Sequence, residues 1–91
     1  MANVDINEVL GSRNSTHGDY ADHARATQYI KRAMVLQPGW ERLNDMQRES
    51  LEMIAHKIGR ILNGDPTYAD SWVDIAGYAQ LVADRLEGKE R

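Results

Sequence analysis

The sequence predicts an all-α protein, a small antiparallel bundle of three main helices completed by oligomerisation. Apolar residues recur at helical spacing over three long stretches, turn residues separate these stretches, and no stretch shows the pattern of a strand. With 91 residues, the chain suits one small domain that is only marginally stable alone. We assign residues 1–18 to an irregular N-terminal arm and residues 19–88 to a single helical domain.

The first predicted helix follows a polar arm that is interrupted by Gly11 and Gly18. It should run from about Asp19, which can cap it, to Leu36, and Pro38-Gly39 should end it. Four polar residues crowd its start: His17, Asp19, Asp22 and His23. Capping and solvent exposure are the interpretation we favour for them, and metal binding is the alternative.

The second predicted helix begins between Trp40 and Asp45 and ends at Asn63-Gly64. Gly64 fits the left-handed position that closes a helix. Its apolar stripe consists of Leu43, Gln47, Leu51, Ile54, Ile58, Ile61 and Leu62. A second line lies opposite this stripe and consists of Glu49, Glu52, His56 and Arg60. A solvated face is the interpretation favoured by this position, and a row of carboxylates lining a cleft is the alternative.

The third predicted helix begins at Asp65-Pro66, with Thr67 as an alternative cap, and runs to about Glu87. Its heptad seam consists of Tyr68, Trp72, Ile75, Ala79, Val82 and Leu86. Between residues 68 and 83, eleven of sixteen residues are apolar, and they lie on every side of the helix. Such a helix is buried all round, and a chain this short cannot cover it. We therefore expect a homodimer or tetramer in which a partner copy covers the remaining face.

Composition excludes several classes of protein. With no cysteine, the chain can form neither a disulfide nor a thiolate zinc site. A formal net charge of −3 argues against generic nucleic-acid binding. The sequence has no long apolar run and no signal peptide, so we expect a cytoplasmic protein that does not span a membrane.

Two aspartates are the strongest candidates for chemistry. Asp70 and Asp74 lie one turn apart on a mostly apolar helix, where two like charges are unfavourable without a cation nearby. Lys57 and Arg60, just before the turn between the last two helices, can supply that cation as salt-bridge partners, or can bind phosphate. In the catalytic alternative, the two aspartates join Glu49 and Glu52 in a cleft that holds Mg²⁺ or Mn²⁺. Clusters of carboxylate oxygens suit magnesium.

Several short motifs give the chain a family resemblance. They are Arg13-x-x-Thr16-His17-Gly18-Asp19-Tyr20, Met53-Ile54-Ala55-x-Lys57-Ile58-x-Arg60-Ile61, Asp65-Pro66 and Asp70-Ser71-Trp72-x-Asp74-Ile75-Ala76-Gly77-Tyr78. Over residues 10–88 the chain resembles a family of small phage and prophage proteins of unknown function, and helical domains associated with phage nucleotide modification. This resemblance implies the cytoplasm of a bacterial or phage-infected cell.

A more distant similarity is to the MazG-like all-α nucleoside triphosphate pyrophosphatases. Those enzymes bind magnesium through an E-x-x-E pair on one helix and an E-x-x-D pair on a later one. Glu49-x-x-Glu52 matches the first pair and Asp74 the final aspartate, whereas Ser71 replaces the preceding glutamate. The resemblance implies magnesium-dependent binding or hydrolysis of a nucleotide.

Two functional hypotheses follow. The first is an oligomeric binding module, an accessory protein of phage or prophage type. The second is a magnesium-dependent nucleotide pyrophosphohydrolase of MazG-like type. Convergence of the four carboxylates in one cleft would favour the enzyme, whereas neutralisation of the aspartates by Lys57 and Arg60 would favour the binding module.

Overall fold

Four α-helices and one short 3₁₀ helix form residues 5–89, the part of the chain that the computed structural model describes, apart from the side chains of residues 13–15. The elements are α1 (Ile6–His17), α2 (Tyr20–Val35), the 3₁₀ helix (Pro38–Arg42), α3 (Asp45–Asn63) and α4 (Ala69–Leu86). No strand occurs between residues 5 and 89, which confirms the all-α prediction. Helix α3 is central, because it packs against both α2 and α4.

The expected irregular arm is largely a helix, so the prediction of three helices was wrong. The side chain of Asp5 caps the start of α1 by accepting a hydrogen bond from the Asn7 amide at 2.9 Å. The helix carries no strong apolar stripe, and Ile6 and Leu10 remain exposed on it. A helix of this kind leaves little periodic signal in a sequence. Residues 1–4 of the predicted arm and the side chain of Arg13 lie outside the described residues.

Helices α2 and α3 lie close to their predicted positions because their caps are explicit in the sequence. The Asp19 carboxylate accepts a hydrogen bond from the Asp22 amide at 3.2 Å and caps α2. At α3, the Asn44 side chain accepts from the Gln47 amide at 2.8 Å. The Gln47 side chain in turn accepts from the Asn44 amide at 2.9 Å, which completes a capping box.

Helix α4 starts later than predicted, at Ala69 rather than at Asp65-Pro66. The Asp65 carboxylate accepts hydrogen bonds from the Thr67 amide at 2.9 Å and the Thr67 hydroxyl at 2.6 Å. Asp65 therefore closes a turn of its own instead of capping the helix. The Trp72 indole N–H donates to the Pro66 carbonyl at 2.8 Å and ties this turn to α4.

The apolar core of the described residues is small. Trp40 and Ala55 are the apolar residues in this part of the chain that are buried. Arg48 covers the Trp40 ring at 5.6 Å and donates a hydrogen bond to the Trp40 carbonyl at 3.1 Å. One copy of the chain does not cover the last helix all round, because Trp72 is 54% exposed and Val73 64% exposed.

A bilayer-spanning segment is not found among residues 5–89, where every helix falls short of the length and apolarity that crossing a membrane requires.

Candidate ligand-binding site

A cavity of about 550 Å³ opens where α1, α2 and α3 meet. Its lining includes Leu10 and His17 of α1, Gly18 and Asp19 of the following turn, Tyr20 and His23 of α2, and His56 and Arg60 of α3. The residues come from distant parts of the sequence, and packing alone brings them together. The walls combine imidazole and phenol rings with one guanidinium and one carboxylate group, a composition suited to a small ligand.

The close approach of two turns holds one end of this cavity. Gly18 has a φ of 79°, and a Cβ atom there would lie 1.6 Å from the Asn63 carbonyl oxygen. Gly64 lies against the end of α1, where a Cβ atom would be 2.4 Å from the carbonyl carbon of His17. The Asp65 amide donates a hydrogen bond to the Thr16 carbonyl at 2.7 Å across the same contact.

The predicted end of the helix at Gly64 is correct, but the predicted left-handed conformation of Gly64 was wrong. Its φ is −125°, so Gly64 does not take the left-handed conformation. Glycine is needed there because the backbone of α1 leaves no space for a side chain. Gly18 supplies the left-handed turn instead, at the junction of α1 and α2.

A second close contact joins α2 to α3 beside the cavity. A Cβ atom on Gly59 would lie 2.0 Å from Thr27 Oγ1 and 3.0 Å from His23 Nδ1. Thr27 and His23 are both buried, and Thr27 Oγ1 is 3.4 Å from His23 Nδ1. The absence of a side chain at Gly59 thus lets α2 approach α3 and brings His23 against His56.

The two histidines of the cavity form one unit. The rings of His23 and His56 pack edge to face with their centroids 4.7 Å apart. Burial lowers the pKa of His56 to about 4, and the charges of Arg60, Lys57 and Lys31 act in the same direction. Burial also lowers the pKa of His23, although a hydrogen bond with the Gly59 backbone opposes this effect. Both rings are therefore neutral near pH 7.

These histidines were not recognised as a pair in the sequence. His23 was expected to be exposed at the start of a helix, but it is buried, with 5% exposure. His56 and Arg60 lie on the line interpreted as a solvated face, but both line the cavity. Ala55 and Gly59, two small residues one turn apart, were the available signal, because small residues at this spacing allow another helix to approach closely.

The candidate cation Lys57 contacts one of the two candidate aspartates. Lys57 Nζ lies 2.8 Å from Asp74 Oδ2. The lysine is the more buried partner, with its side chain 12% exposed against 45% for Asp74. The expectation that Asp74 itself is substantially buried was wrong, because the aspartate lies at the edge of the helix pair. Asp70 is exposed and accepts a hydrogen bond from the Tyr68 hydroxyl at 3.2 Å.

The two candidate glutamates lie elsewhere on α3. Glu49 is exposed. Glu52 lines a separate cavity of about 410 Å³, together with Lys31 and Arg32 of α2. Among the described residues, no three histidine, aspartate or glutamate side chains are grouped so that they could hold a metal ion.

Almost the whole chain matches the model of a known protein family. A family model described as a domain of unknown function (DUF6378) matches residues 5–86. The chain belongs to the DUF6378 family. The match begins directly before α1 and ends with the last residue of α4, so the DUF6378 unit includes the helix that was not predicted. No curated protein and no solved structure matches this DUF6378 chain.

Proposed function

We propose that the protein is a homo-oligomeric helical binding protein whose copies meet through one apolar face of α3 and α4. The observation that supports this proposal most directly is a set of apolar side chains left uncovered on these two helices. We call this set the α3–α4 face; it consists of Leu51, Leu62, Trp72, Ala79 and Leu86.

The residues of the α3–α4 face share one side of each helix by their spacing. Leu51 and Ala79 line one groove of about 280 Å³ between the two helices. Trp72 and Leu86 lie seven residues before and after Ala79, and so share its side of α4. Leu62 lies eleven residues after Leu51, three full turns along α3. Exposure is 38% for Leu51, 68% for Leu62, 54% for Trp72 and 67% for Leu86.

The predicted heptad seam is divided by this arrangement. Ile75 and Val82 are partly buried, whereas Trp72, Ala79 and Leu86 remain exposed. With Tyr68, which is also exposed, four of the six seam residues thus have no cover within one copy, which favours a partner that presents a matching helix pair. A second copy satisfies this requirement, because two such pairs facing each other form a four-helix core.

The accessible area of the molecule is large enough to include an interface. The accessible surface is 6649 Å², whereas a compact monomer of this mass exposes about 5,350 Å². The excess, about 1,300 Å², is larger than the roughly 800 Å² per partner that a standard interface removes. The radius of gyration, 15.4 Å, also exceeds the value of about 12 Å expected for a compact domain of 91 residues.

The magnesium-dependent alternative has less support in the geometry. It requires Glu49, Glu52, Asp70 and Asp74 to converge on one ion. Glu52 instead lies beside α2 and Asp74 contacts Lys57, as described above. The binding protein is therefore the function that we propose.

Light scattering coupled to size exclusion tests the proposal. We expect a particle mass of two or four times 10.3 kDa at micromolar concentration. Leu62→Glu should give monomers that keep their helical circular dichroism, because this side chain is exposed in the single copy. The matched control is Leu36→Glu, at an exposed position after the end of α2, which should leave the mass unchanged. A wild-type monomer, or an oligomer unaffected by Leu62→Glu, would contradict the proposal.

A further inference from the structure

The cavity between α1, α2 and α3 belongs to one copy of the chain. Helical residues turn by about 100° each, so Arg60 lies on the side of α3 opposite to Leu62. Contact between copies through the α3–α4 face therefore leaves the cavity accessible. A volume of about 550 Å³ is typical of sites for small organic ligands and exceeds what a bare oxyanion needs.

The lining of the cavity contains one carboxylate, Asp19, and one cationic side chain, Arg60. Within residues 5–89, no carboxylate forms an ion pair with its guanidinium group, and Asp74, the acidic residue bound to neighbouring Lys57, is already engaged. His56 is neutral near pH 7, so it can donate a hydrogen bond without adding charge. The Asp19 carboxylate accepts the Asp22 amide at the start of α2, where the positive end of the helix offsets part of its negative charge.

The remaining wall is aromatic. The rings of Tyr20 and His23 lie 6.1 Å apart and inclined at 50°, and His56 packs edge to face on His23. Leu10 of α1 adds an apolar contact. A flat ring has favourable stacking and edge contacts with such a wall.

We propose that this cavity binds a small organic anion, a flat ring that bears a carboxylate or phosphate group. The acidic group is bound by Arg60 and His56, and the ring packs against the wall of Tyr20 and His23. The proposal extends the binding function inferred above by naming the ligand class. It is independent of assembly, because every residue that it uses lies in one chain.

Titration with simple probes, followed by amide chemical shifts, tests this assignment. Phenyl phosphate or benzoate should shift the amides of Gly18 and Tyr20 and bind with a Kd of about 1 mM or tighter. Comparing these two probes shows whether phosphate or carboxylate is preferred. Inorganic phosphate lacks the ring and benzyl alcohol lacks the charge, so each should bind at least about tenfold more weakly. Equal binding of benzyl alcohol, or no binding of either aromatic anion at about 10 mM, would overturn the proposal.

Substitutions at the cation give the specific test. Arg60→Gln should weaken binding of the preferred probe at least about tenfold, and Arg60→Lys should have a smaller effect because it keeps the charge. Arg32→Gln is the matched control, since Arg32 lies over the exposed Tyr29 ring and removal of its charge should leave affinity unchanged. Equal losses in the Arg60→Gln and Arg32→Gln variants would show nonspecific charge attraction and overturn the site.

The monomeric Leu62→Glu variant separates this inference from the proposed assembly. It should bind the probe with the affinity of the wild type. Loss of binding together with loss of assembly would contradict a site built within one copy, whereas a wild-type protein that is monomeric yet binds the probe would contradict only the oligomer.

Discussion

Replacing Gly59 by alanine should destabilise the protein, although the same change usually stabilises a helix interior. The added methyl group would lie 2.0 Å from Thr27 Oγ1, so the Thr27 side chain or the whole of α2 must move by more than 1 Å. Overpacking of this kind costs about 1–3 kcal/mol, against a gain of roughly 1 kcal/mol from helix propensity. Disturbing the buried pair of Thr27 and His23 adds about 1 kcal/mol. We expect a net loss of about 1–3 kcal/mol.

Chemical denaturation followed by circular dichroism measures this loss, at a fixed protomer concentration because assembly would add to apparent stability. Gly77→Ala is the matched control: nothing lies within 4 Å of a Cβ atom there, so it should stabilise α4 by up to about 1 kcal/mol. Adding Thr27→Ala to Gly59→Ala should recover about 1 kcal/mol relative to the sum of the single changes. A Gly59→Ala variant as stable as the wild type would refute the close contact of α2 and α3.

Three further changes have definite expected outcomes. Asp74→Leu removes the partner of the mostly buried Lys57 and should lower the free energy of unfolding by about 1–3 kcal/mol, whereas Asp74→Asn should lower it less. Chemical denaturation measures both effects. In a chain that also carries Lys57→Met, Asp74→Leu should have a smaller effect. Gly18→Ala introduces both a strained φ and a clash with Asn63, and a loss of about 2–4 kcal/mol in the same assay is expected. The pKa of His56 is about 4 in the folded state against 6.5 as its ordinary value, so the unfolded chain takes up this proton first. The stability that neutral His56 contributes is therefore fully present above about pH 6.5 and is lost as the pH falls towards 4. After solvent screening we expect this loss to be about 1–2 kcal/mol of unfolding free energy. Over this pH range the melting temperature should fall less steeply in His56→Gln than in the wild type.

The sequence alone was sufficient to predict the bounds of those helices whose ends carry capping or turn residues. Asp19 and Asn63-Gly64 mark helix boundaries that the structure reproduces within about one residue. The start of α4 could not be placed, because an aspartate followed by proline can either cap a helix or close a turn, and the contacts of Thr67 with Asp65 decide between them. Helix α1 was missed because its stability depends on contacts with distant turns rather than on its own periodicity.

The residues of the candidate site were harder to predict from the sequence than the helices were. The contact of Lys57 with Asp74 was foreseeable, since residues on either side of a helical hairpin face each other. The cavity was not, because it depends on how closely α2 can approach α3, which the sequence expresses through the small residues Ala55 and Gly59. Helical wheels describe one helix at a time, so a polar residue such as His56 is assigned to solvent until its neighbour is known.

The hydrogen bond from the Asp65 amide to the Thr16 carbonyl makes one backbone proton a local reporter. Amides in turns usually exchange with solvent rapidly, but this proton is protected while α1 contacts the turn between α3 and α4. Its deuterium exchange rate therefore measures the opening equilibrium of α1, while amides in the centre of α3 report the unfolding of the whole molecule. If exchange at Asp65 is faster than in α3, a state exists in which α1 is detached, the wall that contains Leu10 and His17 is absent, and the other three helices remain folded.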